Sequence, residues 1–217
     1  MNSSRLFVGW FHRLNLLLIM LVLTLYATAD DDSGPLLTDR QMETVRRGDI
    51  YVETLNTDES GGVVRGAIKI NATADDIFNA IIECDKAAEF HKQMKRCTTI
   101  EKKADYGLYR HEIKYLWFIP KQVYTFRGDY TGVTKVRFHV VSGDLKQLDG
   151  GWDIFPMDHP DQYAVRYYAT IKPGFPVPRW MVRRSLRKDI PKMLEIVKFM
   201  AENPELLSTA EADNSAD

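Results

Sequence analysis

The chain has 217 residues, of which 45% are hydrophobic, 27% charged and 11% aromatic. That composition excludes a disordered chain, a collagen-like chain and a polytopic membrane protein. Lys and Arg total 29 against 30 Asp and Glu, so the electrostatic footprint of a general nucleic-acid binder is missing and no nucleic-acid partner is expected. Two cysteines are too few for a disulfide scaffold or a four-cysteine zinc site.

Residues 1–29 stand apart. Arg5 and Arg13 give a basic start, residues 14–26 read LNLLLIMLVLTLY, and Ala27-Thr28-Ala29 precedes Asp30-Asp31-Asp32. This order is that of a secretory signal peptide. The alternative, an uncleaved anchor, wants a longer apolar run. The expected location is therefore exported, periplasmic or extracellular. Residues 30–48 read as an acidic linker and a short helix, capped by Thr38 and stopped by Gly48. Export makes disulfides possible. Cys84 and Cys97 flank a helical turn and are either bridged or two small buried hydrophobes. Asn71-Ala72-Thr73 has the form of a glycosylation sequon, a match that also arises by chance.

Residues 49–202 carry the folded domain. Strands over 50–52 and 63–70, separated by a turn-rich stretch, make a hairpin. Thr73 caps a helix whose Ile77, Phe78, Ile81 and Ile82 fall on one face, and Asp85 ends it. A second short helix is expected over 87–92. From residue 96 to 172 the pattern is that of strands. Tyr109, His111, Ile113, Tyr115 and Trp117 share one face, with Arg110, Glu112 and Lys114 on the other. Tyr124, Phe126 and Tyr130 share a face in the next strand, and Val136, Phe138 and Val140 in the one after. Asp149-Gly150-Gly151 is expected to bend the chain into Trp152. Tyr163, Val165, Tyr167, Ala169 and Ile171 form the inward face of the last strand. Pro173, Pro176 and Pro178 stiffen a loop before a long helix over 179–202. Its apolar stripe is Val182, Leu186, Ile190, Met193, Leu194 and Val197, and Pro191 interrupts it. Residues 203–217 read as a disordered acidic tail.

The class is α+β: two short helices near the N-terminal part, a long antiparallel meander and a terminal helix. A strongly bent sheet wrapped around that helix buries these faces and leaves a cavity between them. Four stretches carry a family resemblance. They are 70–78 with Asp85 and Phe90; Gly143-Asp144-Leu145-Lys146 before Gly150-Gly151-Trp152; 163–171 running into the proline loop; and 187–198 with Pro191. With these the chain resembles the START-like, polyketide cyclase and coenzyme Q-binding superfamily, and within it small exported bacterial members. The resemblance implies a helix-grip fold. It leaves function open, because that superfamily includes carriers, cyclases and sensors.

No histidine pair has metal-ligand spacing, and no nucleotide or nucleophile-elbow motif is present, so no metal or cofactor is expected. The expected ligand site takes Tyr109, His111, Tyr124, Phe126, Trp152 and Tyr167 from the sheet and Val182, Leu186 and Ile190 from the helix, with Pro176 and Pro178 in the loop that closes it. Buried tyrosine hydroxyls need partners, which favours a cavity with a few polar groups over a solid core. The expected function is binding or transport of a hydrophobic small molecule, a lipid, quinone or similar, by a monomer. The alternative is a cyclase or dehydratase using His111 as acid/base. A long apolar cavity favours the carrier; a short pocket with His111 touching another titratable group favours the enzyme. Trp180, Arg183 and Arg184 form either a solvated face or a peripheral membrane contact.

Overall fold

The structure, a computed structural model, describes residues 37–56, 61–114 and 119–207. The segment read as signal peptide and linker up to residue 36, Tyr115, Trp117 and the last ten residues of the tail lie outside the described residues.

The elements are α1 (Asp39–Arg46), β1 (Tyr51–Asn56), β2 (Gly62–Asn71), α2 (Ala74–Ile82), α3 (Asp85–Phe90), β3 (Met94–Lys102), β4 (Tyr106–Ile113), β5 (Gln122–Thr131), β6 (Lys135–Gly143), β7 (Leu145–Pro156), β8 (Gln162–Pro173) and α4 (Arg179–Glu202). Caps set the helix starts. Thr38 Oγ1 accepts from the Gln41 N–H at 3.4 Å, and Gln41 Oε1 accepts from the Thr38 N–H at 2.9 Å, a reciprocal capping box. Thr73 Oγ1 accepts from the Asp76 N–H at 3.2 Å to open α2. Asp85, expected to end that helix, instead opens α3, because the chain turns at Glu83 and Cys84.

The strands form one antiparallel sheet in the order β1-β2-β8-β7-β6-β5-β4-β3. β2 and β3 follow one another in sequence but lie far apart in the sheet, and α2 and α3 span the gap. Extra residues in β3, β6 and β7 shift the register and add bends. The result is a bent sheet gripping the long helix α4.

Why α4 sits where it does follows from two glycines. Alternation in β2 points Gly62, Val64, Gly66, Ile68 and Ile70 inward. A Cβ at Gly62 would stand 2.7 Å from Leu186 Cδ1, and one at Gly66 would stand 2.9 Å from Leu194 Cδ1. The missing side chains let α4 press onto β2. Val64, Ile70, Ile77, Leu194 and Met200 fill the tightly packed side of the core.

The convex side has its own burial. Val45 of α1 packs on Ala67 and Ala164, with Tyr51 and Phe155 beside them. Asp153 and Arg166 are also buried there. Gly150 and Gly151, expected to lead into the next strand, both lie within β7 itself. A Cβ on Gly150 would meet the Tyr168 carbonyl at 2.1 Å and one on Gly151 the Val136 carbonyl at 2.7 Å. Residues 204–207, expected to begin the disordered tail, form a helical turn instead. Leu206 and Leu207 donate their N–H groups to the Asn203 and Pro204 carbonyls, and Leu207 packs against the core.

Candidate functional site

Inward alternation on five neighbouring strands lays down an aromatic floor. β4 supplies Tyr109 and His111, β5 supplies Tyr124 and Phe126, β6 supplies Phe138, β7 supplies Trp152 and β8 supplies Tyr167. Contacts run unbroken across it. Tyr109 stacks on Phe126 at 5.4 Å between ring centroids, and His111 meets Phe126 edge-on at 4.6 Å. Phe126 meets Phe138 at 6.3 Å, Phe138 stacks on Tyr167 at 5.9 Å, and Tyr167 meets Trp152 at 4.7 Å. Such pairs contribute about 0.5–1.5 kcal/mol each beyond their buried area.

Above this floor lies a cavity of about 220 Å³, bounded on the other side by the end of α2, by α3 and by α4. Its cause is the asymmetric seat of α4. Glycines draw the helix onto β2, while large rings on β4 to β8 hold it away from the rest of the sheet. For scale, a cavity of about 150 Å³ accommodates benzene, so the space here suits a ring-sized molecule or one segment of a longer one.

Eight of the nine residues expected at the site line this cavity: Tyr109, His111, Tyr124, Phe126, Trp152, Tyr167, Leu186 and Ile190. Val182 does not. It is buried one turn before Leu186, with its Cγ1 directed at Gly62 where the helix already touches the sheet. The proline loop is also absent from the described lining. Gly174 N–H donates to the Asp144 carbonyl at 2.9 Å, which ties the loop to the β6–β7 turn, and Val177 packs against the core, while Pro176 and Pro178 are not among the residues that line the cavity. The wall that periodicity missed is the α2–α3 turn with Glu83, Cys84 and His91. Cys84 and Cys97 form a disulfide there, joining α3 to the edge strand β3. Their sulfurs and a ring nitrogen of His111 lie within 4.8 Å of one another. The disulfide occupies both thiols, so this grouping is not an open metal site.

Besides Glu83 on the α2–α3 turn, polar groups are few, and three sets of them stand out. The Tyr109 and Tyr130 hydroxyls are hydrogen-bonded to each other. Burial, followed by that contact, raises the Tyr109 hydroxyl above the ordinary range, and burial raises Tyr130. Both stay protonated at neutral pH. His111 Nδ1 lies 3.1 Å from the Tyr124 hydroxyl. Burial, with a smaller contribution from nearby His91, pushes the His111 pKa down to about 3, so the imidazole is neutral. The third set is on α4, where Asp189 accepts from Ser185 Oγ at 2.7 Å and from Gln93 Nε2 at 3.2 Å. His91 lies beside it. Its Nδ1 is buried without a hydrogen-bond partner among the described residues, and burial lowers its pKa.

A bent antiparallel sheet gripping a terminal helix around an apolar cavity with sparse polar groups is the START-like, helix-grip class of protein. A family model described as polyketide cyclase/dehydrase and lipid transport matches residues 70–198, more than half of the chain, and the chain belongs to that family. Solved structures agree on the fold. The STAR-related lipid transfer protein from Xanthomonas axonopodis superposes with a TM-score of 0.62 at 15% identity, over 70% of this chain and 93% of that one. Human STARD10 gives 0.56 at 11% identity, over 82% and 86%. The Zhui aromatase/cyclase from Streptomyces sp. R1128 gives 0.53 at 12% identity, over 70% and 94%. No curated protein matches the sequence.

Proposed function

We propose that this protein binds a hydrophobic small molecule in the cavity between α4 and the aromatic floor. The observation that carries the reading is the cavity: about 220 Å³, enclosed by rings and aliphatic side chains, with polar groups confined to a few points. That is the composition of a small-molecule site. The similarity to a lipid transfer protein and to STARD10 supports the same reading. The test is uptake of an uncharged fluorescent dye, with Leu186→Trp as the control. The indole fills the cavity, so uptake is lost while the circular dichroism of the fold is kept. Undiminished uptake by that variant would place the ligand elsewhere.

A second reading has one specific observation in its favour. His111 touches the Tyr124 hydroxyl in a compact pocket, the arrangement expected of a cyclase or dehydratase, and one structural neighbour is an aromatase/cyclase. The depressed pKa of His111 weighs against it. An imidazole held near 3 is a weak base and carries almost no proton to donate at neutral pH. His111→Phe separates the two: a binder keeps its apolar ligand, an acid/base enzyme loses turnover.

We propose that the binding takes place outside the cytoplasm. Residues 1–29 read as an export signal, and the Cys84–Cys97 bridge suits an oxidising compartment. Detection of the mature chain in the periplasm or medium, starting near Asp30, tests this. Peripheral membrane contact is part of the proposal. Trp180 is 65% exposed at the start of α4, and Arg183 and Arg184 are exposed beside it. Arg183→Glu with Arg184→Glu is expected to weaken binding to anionic vesicles at low salt. Absence of vesicle binding by the wild type would leave this face merely solvated.

A further inference from the structure

Within the described lining, the two side chains that bear a full charge are Glu83 and Asp189, both acidic. Lys and Arg contribute nothing to that lining, although they are abundant nearby. Arg183, Arg184, Arg187 and Lys188 all point to solvent from the same helix. The histidines on the wall add no positive charge at neutral pH, because burial holds both below their ordinary range. The two carboxylates sit apart. Glu83 stands close enough to Tyr109 to raise its hydroxyl pKa, while Asp189 stands beside Ser185 and His91.

We infer that the cavity takes uncharged, ring-sized molecules bearing a hydroxyl or carbonyl group and rejects carboxylates of the same skeleton. This rests on the cavity reading above and names the ligand class. The physical ground is competition between two sets of charges. Of the basic side chains outside, Lys192 is felt at His91 on the wall, while those on the exposed start of α4 act through water and are screened within about 10 Å at ordinary salt. The carboxylates on the wall face the ligand directly, with little between them and it, and like charges repel. An anionic ligand would also shed its hydration with no cation to replace it. A neutral hydroxyl has no such cost. The His111–Tyr124 pair offers it a donor or an acceptor, and Ser185 on the opposite wall offers another.

The matched probes are 2-naphthol and 2-naphthoate, compared at neutral pH with the full-length oxidised protein by fluorescence titration. The expected result is at least tenfold tighter binding of 2-naphthol. Asp189→Asn keeps an oxygen to accept from Ser185, and together with Glu83→Gln it is expected to narrow the ratio at least threefold. Equal or tighter binding of 2-naphthoate by the wild type would overturn the inference and leave the cavity reading standing. Failure of 2-naphthol to bind, or binding that persists in Leu186→Trp, would overturn the cavity reading and this inference with it. A ratio unmoved by the paired variants would remove Glu83 and Asp189 as its cause.

Discussion

Trp152 and Asp153 are neighbours in β7, and Tyr167 and Arg166 are neighbours in β8. The sheet register pairs Trp152 with Tyr167 and Asp153 with Arg166. One pair faces the cavity and the next faces the convex side. On the concave side, burial is solved by removing charge: the rings are neutral and His111 is held without its proton. On the convex side, burial is solved by pairing charge. Asp153, 1% exposed, accepts from Arg166 Nη2 at 2.5 Å and Nε at 3.1 Å, and from Arg137 Nη2 at 2.7 Å. Tyr168 packs against both guanidiniums. A saturated ion network fixes strands to one another and leaves no valence for a guest. The aromatic floor, which carries no charge of its own, does the reverse.

The sharpest way to break this contrast is to unbalance the convex side. Asp153→Ala leaves two guanidiniums facing each other without their carboxylate. It is expected to lower unfolding free energy by about 3–5 kcal/mol, read as a drop in urea midpoint. A loss below 1 kcal/mol would mean that water reaches the site. Next comes the cavity wall. Replacing Cys84 and Cys97 by Ser opens a loop of 13-residue separation, with an expected cost of about 3 kcal/mol on the chain-entropy model. The test is thermal unfolding with and without reductant, and the variant is expected to be insensitive to reductant.

The third prediction concerns pH. His111 has a folded pKa of about 3 against an ordinary 6.5, so between those values the unfolded chain binds the proton more readily. Its contribution is fully present above about 6.5 and is lost as pH falls toward 3. His91 acts in the same direction. His111→Phe is therefore expected to flatten the decline of stability on acidification through that window, seen as parallel urea titrations at several pH values. An unchanged slope would mean that His111 is solvated. The smallest effect is that of Leu186→Trp. Overpacking a filled core costs about 1–3 kcal/mol; Leu186 abuts Gly62 on one side but faces the cavity on the other, so the ring can turn into the open space and a change at the low end, about 1 kcal/mol, is expected. A larger loss would show the space to be filled by neighbouring side chains.

What was legible in the sequence follows from which physical rule acts locally. Period-two alternation placed Tyr109, His111, Tyr124, Phe126, Trp152 and Tyr167 on one face without knowledge of any partner strand. Period 3.6 did the same for Leu186 and Ile190. Val182 obeyed the same period, yet its position along the helix axis lies past the cavity, and axial position depends on how α4 docks. The Asp153–Arg166 pair was not legible, because alternation assigns both to a wet face and only the β7–β8 register brings them together. Glu83 and His91 escaped for a different reason. They lie in a turn and at a helix end, where no periodicity applies. Gly150 and Gly151 read as a bend from their composition, but the crowding by Tyr168, Phe138 and Arg137 that leaves no room for a side chain at either position depends on the neighbouring strands.

Gly62 and Gly66 have a consequence for how the fold diversifies. They act as a fulcrum: α4 rests on them at one edge, and its height above the far strands is set by whatever stands there. Residues on β4 to β8 can thus change in bulk without disturbing the resting line. Change at the fulcrum is of another kind. A methyl group at position 66 meets Leu194 Cδ1 at 2.9 Å and Ile190 Cγ2 at 3.4 Å; those side chains can yield to a methyl, but a larger group has to lift the helix and alter the lining distances together. The shape of the chamber is therefore governed by two separable controls, a fine one in the side chains of the floor and a coarse one in the backbone of β2.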